Sequence, residues 1–137
     1  MRRRIGVGQF IIERSERFVA IKPFASRYEW EVHILPLAHG ADFLDAAPAD
    51  LVDLARLFRR TMERLNTVPG GVQYNFFLHS LPHSEEYAGC APSYHWHIEI
   101  CPRTSIPTGF EMGSGLFVNT ICPEDAAERL RSIALPA

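Results

Sequence analysis

The alternation of apolar and polar residues along the chain predicts six short strands. Successive side chains on a strand point to opposite faces, so a period of two marks a strand with one buried face. Segments with this alternation, or with a short apolar run, lie at 7–13, 18–21, 31–35, 73–78, 95–101 and 116–119. Because helical patterns do not alternate regularly with these segments, we expect a mostly antiparallel sheet.

Two stretches have helical spacing instead. The first is predicted over 48–66, where Pro48 suits a first helical position that needs no N–H, and Pro69-Gly70-Gly71 is expected to stop it. Its apolar stripe consists of Leu51, Leu54, Leu57, Phe58, Met62 and Leu65. A second helix is predicted to begin near Pro123 and to bury Ala126, Leu130 and Ile133. The pattern therefore predicts one α+β domain over residues 1–137.

Composition narrows the function classes. The chain has 137 residues, of which 47% are hydrophobic and 22% charged, as in soluble globular proteins. A net charge of −2 argues against a general nucleic-acid binder, and the basic run Arg2-Arg3-Arg4 is short and terminal. No apolar run approaches the ~20 residues of a membrane span. We therefore expect a cytoplasmic protein that contacts neither nucleic acid nor membrane.

The segment around residue 97 carries the candidate chemistry. On a strand over 95–101, Trp96, Ile98 and Ile100 would face the core, while His95, His97 and Glu99 would share the opposite face. His79 ends the preceding predicted strand and would reach the same face if the two strands pair. Imidazole and carboxylate groups converging on one point predict a metal site, or a phosphate site, at His79, His95 and His97.

The remaining histidines have less specific predicted roles. His83 follows Leu81-Pro82 in the long loop 80–93, so a helical pairing with His79 is not expected and a solvated position is predicted. His33 and His39 have no partner nearby in sequence and are predicted to be structural or exposed. The three cysteines lack CxxC spacing and are predicted to be buried or idle thiols.

Ordered blocks along the whole chain resemble the C-terminal domain of galactose-1-phosphate uridylyltransferases of the histidine-triad superfamily. The blocks are Phe18-Val19-Ala20, Lys22-Pro23-Phe24-Ala25-Ser26-Arg27, Glu31-Val32-His33-Ile34-Leu35-Pro36, Tyr74-Asn75-Phe76-Phe77-Leu78-His79, Tyr94-His95-Trp96-His97-Ile98-Glu99-Ile100, Gly109-Phe110-Glu111-Met112-Gly113-Ser114-Gly115 and Pro123-Glu124-Asp125-Ala126-Ala127. The fold implied is a histidine-triad-like, mostly antiparallel sheet with packed helices.

The resemblance also implies a function. In that family a histidine of a His-Pro-His motif in the first half attacks the α-phosphate of UDP-glucose, and hexose 1-phosphate then collects the uridylyl group. This sequence contains no His-Pro-His. It matches the second-half metal site at His79, His95 and His97, which a glutamate of the first half completes, and the sugar-binding position at Phe110 and Glu111. The partners implied are UDP-hexose, hexose 1-phosphate, a first-half domain or subunit, and a homodimer or hetero-assembly, with zinc or iron as cofactor.

Two other functions remain open from the sequence. The strand also resembles the superfamily motif His-x-His-x-His, with Glu99 in place of the last histidine, so His97 could be the nucleophile of a free-standing nucleotide hydrolase or transferase. A carboxylate at that position would repel a phosphate, which favours His97 as a ligand over His97 as a nucleophile. A non-catalytic metal-binding domain is the third hypothesis.

Overall fold

The computed structural model describes residues 7–68 and 73–135, and within them five strands form one antiparallel sheet. Its order is β1-β2-β3-β5-β4, so β5 lies between β3 and the edge strand β4. The strands are β1 Ile11–Arg14, β2 Phe18–Ile21, β3 Val32–Pro36, β4 Tyr74–His79 and β5 His97–Pro102. The predicted α+β class with a mostly antiparallel sheet is confirmed.

Between residues 7 and 68 and between 73 and 135, three α-helices accompany the sheet. Helix α1 spans Pro48–Leu65, α2 spans Gly109–Ser114 and α3 spans Pro123–Ser132. Pro48 is the first residue of α1, as predicted, and the Asp50 carboxylate accepts a hydrogen bond from the Ala47 N–H at 3.3 Å. In the described part of the chain, no helix combines the length and the apolar character that crossing a membrane requires.

The sheet buries one face under α1 and α3 and leaves the other for polar groups. The buried face comes from alternate strand positions, which meet the apolar stripes of the two helices in one core: Phe18, Ala20, Val32, Ile34, Ile98, Ile100, Leu54, Leu57, Leu65, Ala126, Ala127 and Leu130. The positions between these buried residues belong to the other face of the sheet. There His33 on β3 pairs with Glu99 on β5, and His79 on β4 pairs with His97 on β5. The polar face of β3, β5 and β4 therefore carries the candidate site.

The sequence prediction differs from the structure at three places. Residues 116–119 were predicted as a strand but are irregular, and the exposed side chains of Leu116, Phe117 and Val118 bury no face. Helix α2 was not predicted. The segment 7–13 begins as a 3-10 helix, Val7–Phe10, before β1 starts. The predicted stop at residues 69–71 and the basic run at residues 2–4 lie outside the described residues.

Candidate functional site

The pairing of β4 with β5 brings His79 and His97 together. The two imidazole rings stack with centroids 4.7 Å apart and planes inclined by 15°. Glu99 follows two residues later on the same face of β5, with its Oε2 atom 3.4 Å from His79 Nε2 and its Oε1 atom 3.7 Å from His97 Nε2. Two imidazoles thus converge on one carboxylate, as the alternation of β5 predicts.

Strand β3 adds a third imidazole, that of His33, which the sequence predicts to be structural or exposed. His33 pairs with Glu99 in register, and its Nε2 atom lies 3.5 Å from Glu99 Oε1. Its ring stacks on the ring of His97, with centroids 5.7 Å apart. The ligand atoms of His33, His97 and Glu99 all lie within 4.8 Å of one another. His33 is therefore part of the candidate site.

A partly buried charge network supports this cluster from the loop between β2 and β3. The guanidinium of Arg27 donates to Glu99 Oε2, and Glu31 Oε1 lies 2.9 Å from His33 Nε2. Glu31 is almost fully buried and also accepts from the backbone N–H groups of Arg27 and Tyr28. Burial opposes its ionisation, but the hydrogen bonds from His33 and the two amides lower the pKa of Glu31 below its ordinary value.

The hydrogen bond of His97 fixes which of its ring nitrogens is available for chemistry. His97 Nδ1 lies 3.0 Å from the carbonyl oxygen of His95. A carbonyl only accepts, so Nδ1 carries the proton and the neutral ring presents a lone pair at Nε2. Nε2 is the atom that faces Glu99. This arrangement suits a metal ligand or a nucleophile.

His95 lies just before β5, and its ring has a different environment. Its Nε2 atom lies 2.9 Å from the carbonyl oxygen of Pro36, and its ring packs edge-on against that of His39. The structure therefore brings together two of the three predicted metal ligands, His79 and His97, while the His95 ring is engaged by Pro36. That all three bind one ion stays a prediction.

The donor set of the cluster fits a transition-metal ion. His79 Nε2 is buried and has no hydrogen-bond partner in the described structure. A buried nitrogen without a partner is costly, and an ion ligated there would satisfy it. Imidazole and carboxylate donors suit zinc and iron alike. Among the described residues, His33, His97 and Glu99 each place one ligand atom within 4.8 Å of the other two, so these three could contact such an ion, and His79 lies beside them.

The two predicted sugar-binding residues, Phe110 and Glu111, lie on helix α2. The Glu111 carboxylate accepts from the backbone N–H of Thr108 at 2.6 Å, closing a capping box at the start of the helix. Glu111 and Arg27 both line a pocket of about 190 Å³, whereas the side chain of Phe110 is exposed. Gly115 ends α2 with a φ of 70°, the left-handed conformation that favours glycine. Phe110 and Glu111 as sugar-binding residues remain a prediction.

Two further buried groups lie behind the site. Lys22, the only lysine of the sequence, is fully buried, and its Nζ donates to the Tyr28 carbonyl oxygen at 2.8 Å. Burial lowers the pKa of Lys22 to about 8, partly offset by the charge of Glu31. Burial, followed by the charge of Glu31, raises the pKa of the Cys101 thiol to about 11, so this thiol is unreactive.

Comparisons with known proteins identify the relatives of this chain. It is 32% identical over 126 residues to an ADP-glucose phosphorylase of Arabidopsis thaliana, covering 92% of this chain and 36% of the relative. It is 25% identical over 127 residues to a galactose-1-phosphate uridylyltransferase of Thermotoga maritima, covering 88% of this chain and 39% of the relative. The chain thus spans less than half the length of either protein. A comparison with family models found no match.

Solved structures show the same relationship. A crystal structure of an Arabidopsis thaliana ADP-glucose phosphorylase with bound ADP-glucose superposes with a TM-score of 0.83 at 32% identity, covering 92% of this chain and 41% of that chain. A zinc-bound histidine triad family protein from Mycobacterium smegmatis superposes with a TM-score of 0.61 at 17% identity, covering 90% of this chain and 81% of that chain. The second likeness concerns the fold alone.

The fold is that of a histidine-triad-like domain. Within that class, the chain is a homologue of the galactose-1-phosphate uridylyltransferase-like proteins, consistent with the C-terminal domain recognised from its sequence blocks.

Proposed function

We propose that this chain is the second half of a nucleotidyltransferase that moves a nucleotidyl group from a sugar nucleotide to a sugar phosphate. The first half, on the same longer chain or on another, would supply the His-Pro-His nucleophile that this sequence lacks. This domain would contribute a zinc or iron site at its histidine cluster and the sugar-binding residues Phe110 and Glu111. UDP-glucose with galactose 1-phosphate is the proposed substrate pair.

The similarity to two sugar-nucleotide enzymes over about nine-tenths of the chain carries this proposal. One of them is named for ADP-glucose and the other for uridylyl transfer. ADP-glucose is therefore a second donor to be tested. Arg27 supports a phosphate-containing substrate, because it lines the same pocket as Glu111 and its guanidinium donates to Glu99 in the histidine cluster.

The exposed edge strand β4 supports the proposal that this chain binds a partner. On β4, the side chains of Tyr74, Phe76 and Leu78 are 39%, 57% and 44% exposed, and β4 is the last strand of the sheet order. An edge strand with exposed apolar side chains is a template for pairing with another segment. We propose that the first half covers this edge, or that a second copy does so in a homodimer.

Reconstitution tests the proposed function. The chain is combined with a His-Pro-His-containing first half, and transfer from UDP-glucose and from ADP-glucose to hexose 1-phosphate is followed. We expect activity only in the combined sample. Glu111→Gln should then reduce transfer by roughly tenfold to a hundredfold, because a neutral amide weakens charge-assisted hydrogen bonds to sugar hydroxyls worth about 1.5–3 kcal/mol each.

Glu111→Gln changes the charge at the sugar site without removing the helix cap, because glutamine also closes a capping box. Helix α2 should therefore persist in the variant. Thermal unfolding of the variant and of Thr108→Ala, which removes the capping hydroxyl but no carboxylate, separates a folding effect from a substrate effect. Full transfer by the reconstituted Glu111→Gln protein would remove Glu111 from the sugar site. No transfer by the combined halves with either donor would contradict the proposed function.

One observation favours a second candidate function. The bond from His97 Nδ1 to the His95 carbonyl leaves a lone pair at His97 Nε2, which a nucleophilic histidine needs. The second candidate is therefore a free-standing nucleotide hydrolase or transferase. Glu99 argues against it, because its carboxylate lies 3.7 Å from the same Nε2 atom and would repel an incoming phosphate.

A further inference from the structure

We infer that Glu29 is a positioning residue, which holds the loop 105–119 in place and thereby completes the pocket lined by Arg27 and Glu111. This loop contains helix α2 with the predicted sugar-binding residues. The inference deepens the proposed function and rests on it only in taking this pocket as the substrate pocket.

One carboxylate contacts the chain on both sides of this loop. The Thr104 hydroxyl, just before the loop, donates to Glu29 Oε2 at 3.4 Å. The Thr120 hydroxyl, just after the loop, donates to Glu29 Oε1. A carboxylate suits this role because each of its oxygens accepts hydrogen bonds separately. Glu29 thus joins the two ends of a compact surface loop, which is the geometry of an Ω-loop.

The loop itself buries little apolar surface. Helix α2, all of which lies in the described part of the chain, has no buried residue. The side chains of Ile106 and Met112 are 85% and 79% exposed. A segment with few buried contacts belongs to the least stable part of a fold and opens locally. The position of the loop therefore depends on the hydrogen bonds at its ends.

A second set of contacts holds the end of the loop that follows α2. Asn119 Nδ2 donates to Ser26 Oγ at 3.0 Å and to the carbonyl oxygens of Ser26 and Tyr28, both at 3.3 Å. The Phe117 ring packs edge-on against the Tyr28 ring, with centroids 5.8 Å apart. These contacts lie away from the other end of the loop, so loss of the Glu29 carboxylate should free that end first.

The pocket depends on where the loop lies. Arg27 and Tyr28 form one wall, and the other described lining residues, Glu111 among them, all belong to the loop. When the loop opens, Glu111 separates from Arg27 and the pocket is no longer complete. Glu29 follows Tyr28 directly in sequence, so one short segment forms one wall and holds the other. The strength of its two hydrogen bonds sets the fraction of molecules that can bind substrate.

Limited proteolysis of the isolated chain measures how often the loop opens. Chymotrypsin cleaves after aromatic residues, and Phe110 and Phe117 in the loop are exposed. Cleavage of a rapidly opening loop follows the population of the open form. We expect Glu29→Ala to raise the rate of cleavage at these two residues roughly tenfold, because each lost hydrogen bond is worth a factor of about 2–12. Glu16→Ala removes an exposed carboxylate beside Arg17 and should leave the rate unchanged.

Substitutions of Thr120 test whether the effect runs through the hydrogen bond. Thr120→Val removes the hydroxyl with little change of shape and should raise the cleavage rate about twofold to tenfold. Thr120→Ser keeps the hydroxyl and should be cleaved at the unmodified rate. In the Glu29→Ala background, Thr120→Val should cause no further increase, because its partner is already absent. Urea unfolding checks that every variant is folded in the assay, and an unmodified rate in Glu29→Ala or additive effects of the two substitutions would overturn the inference.

Kinetics of the reconstituted enzyme show whether Glu29 acts on substrate binding. Bound substrate selects the closed loop, so saturating substrate compensates for a loop that opens more often. We expect Glu29→Ala to raise KM for hexose 1-phosphate by up to about tenfold and to leave kcat unchanged. A lower kcat with the unmodified KM, or no change in either, would contradict the positioning role. No transfer by the unmodified combined halves would instead contradict the proposed function, and the proteolysis of the isolated chain would still decide whether Glu29 holds the loop.

Discussion

Lys22 illustrates how a single residue can oppose the stability of this domain. Its side chain is fully buried, and its amine donates to the carbonyl oxygen of Tyr28. Burial lowers the pKa of Lys22 from 10.5 to about 8, so at neutral pH a charged amine is held where water does not reach it. The shift corresponds to a destabilisation on the order of 3 kcal/mol at pH 7.

We predict that Lys22→Met raises the free energy of unfolding at pH 7, by up to about 3 kcal/mol. The Tyr28 carbonyl keeps a partner, because Asn119 Nδ2 also donates to it at 3.3 Å. The gain should shrink as the pH rises from about 8 to 10.5, since the folded protein releases the proton first and the neutral amine is cheaper to bury. Urea unfolding of both proteins at pH 7 and pH 10 measures this difference, and an equal gain at both pH values would contradict it.

The candidate site shows how far residue patterns alone could go. Alternation on β5 correctly placed His97 and Glu99 opposite Trp96, Ile98 and Ile100. The rule does not extend to His95, because β5 begins only at His97 and the His95 ring is bonded to the Pro36 carbonyl oxygen, so its role as a ligand stays a prediction. His33 was missed since its neighbours in space are 64 and 66 residues away in sequence, and only the pairing of β3 with β5 reveals them.

At the scale of elements, the length of a helix decided whether it could be predicted from the sequence. Helix α1 has 18 residues, enough for its apolar stripe to appear. Helix α2 has six residues, too few for a period, although Thr108 with Glu111 three positions later is a capping-box signal that could have indicated its start. The strand predicted over 116–119 was wrong because apolar character there reflects exposed side chains rather than a buried face.

Strands β4 and β5 offer a matched pair of substitutions. Phe76 and Ile100 are partners in register, but Ile100 is fully buried and Phe76 is 57% exposed. We predict that Ile100→Ala lowers the free energy of unfolding by about 2–5 kcal/mol. Phe76→Ala should cost only about 0.5–1.5 kcal/mol, the value of its edge-on contact with Phe58. Urea unfolding of the isolated variants measures both.

Ile100→Ala has the larger expected effect on unfolding, but Phe76→Ala should have the larger effect on association with a partner. If β4 is the surface that the first half or a second copy covers, Phe76→Ala should weaken assembly more than Ile100→Ala does. Analytical ultracentrifugation under conditions where both variants are folded gives this comparison. Equal assembly by Phe76→Ala and the unmodified chain would exclude the β4 edge as the partner surface.

For the whole molecule, the decisive property is whether it forms a covalent intermediate by itself. We predict that the isolated chain forms no nucleotidyl-histidine, because it lacks His-Pro-His and because Glu99 lies beside His97 Nε2. Incubation with sugar nucleotide labelled at the α-phosphate, followed by acid treatment of the denatured protein, measures this. Acid-labile label that disappears in His97→Ala would favour the free-standing enzyme instead.

The burial of Lys22 has one more consequence, for chemical modification. Because this residue supplies the only side-chain amine among 137 residues, an amine-directed reagent can acylate the folded domain's side chains only when the loop after β2 opens. The rate of modification at Lys22 therefore reports the frequency of that opening. A ligand that tightens the network of Arg27 and Glu31 should slow the reaction, so this one amine can serve as a built-in sensor of site closure.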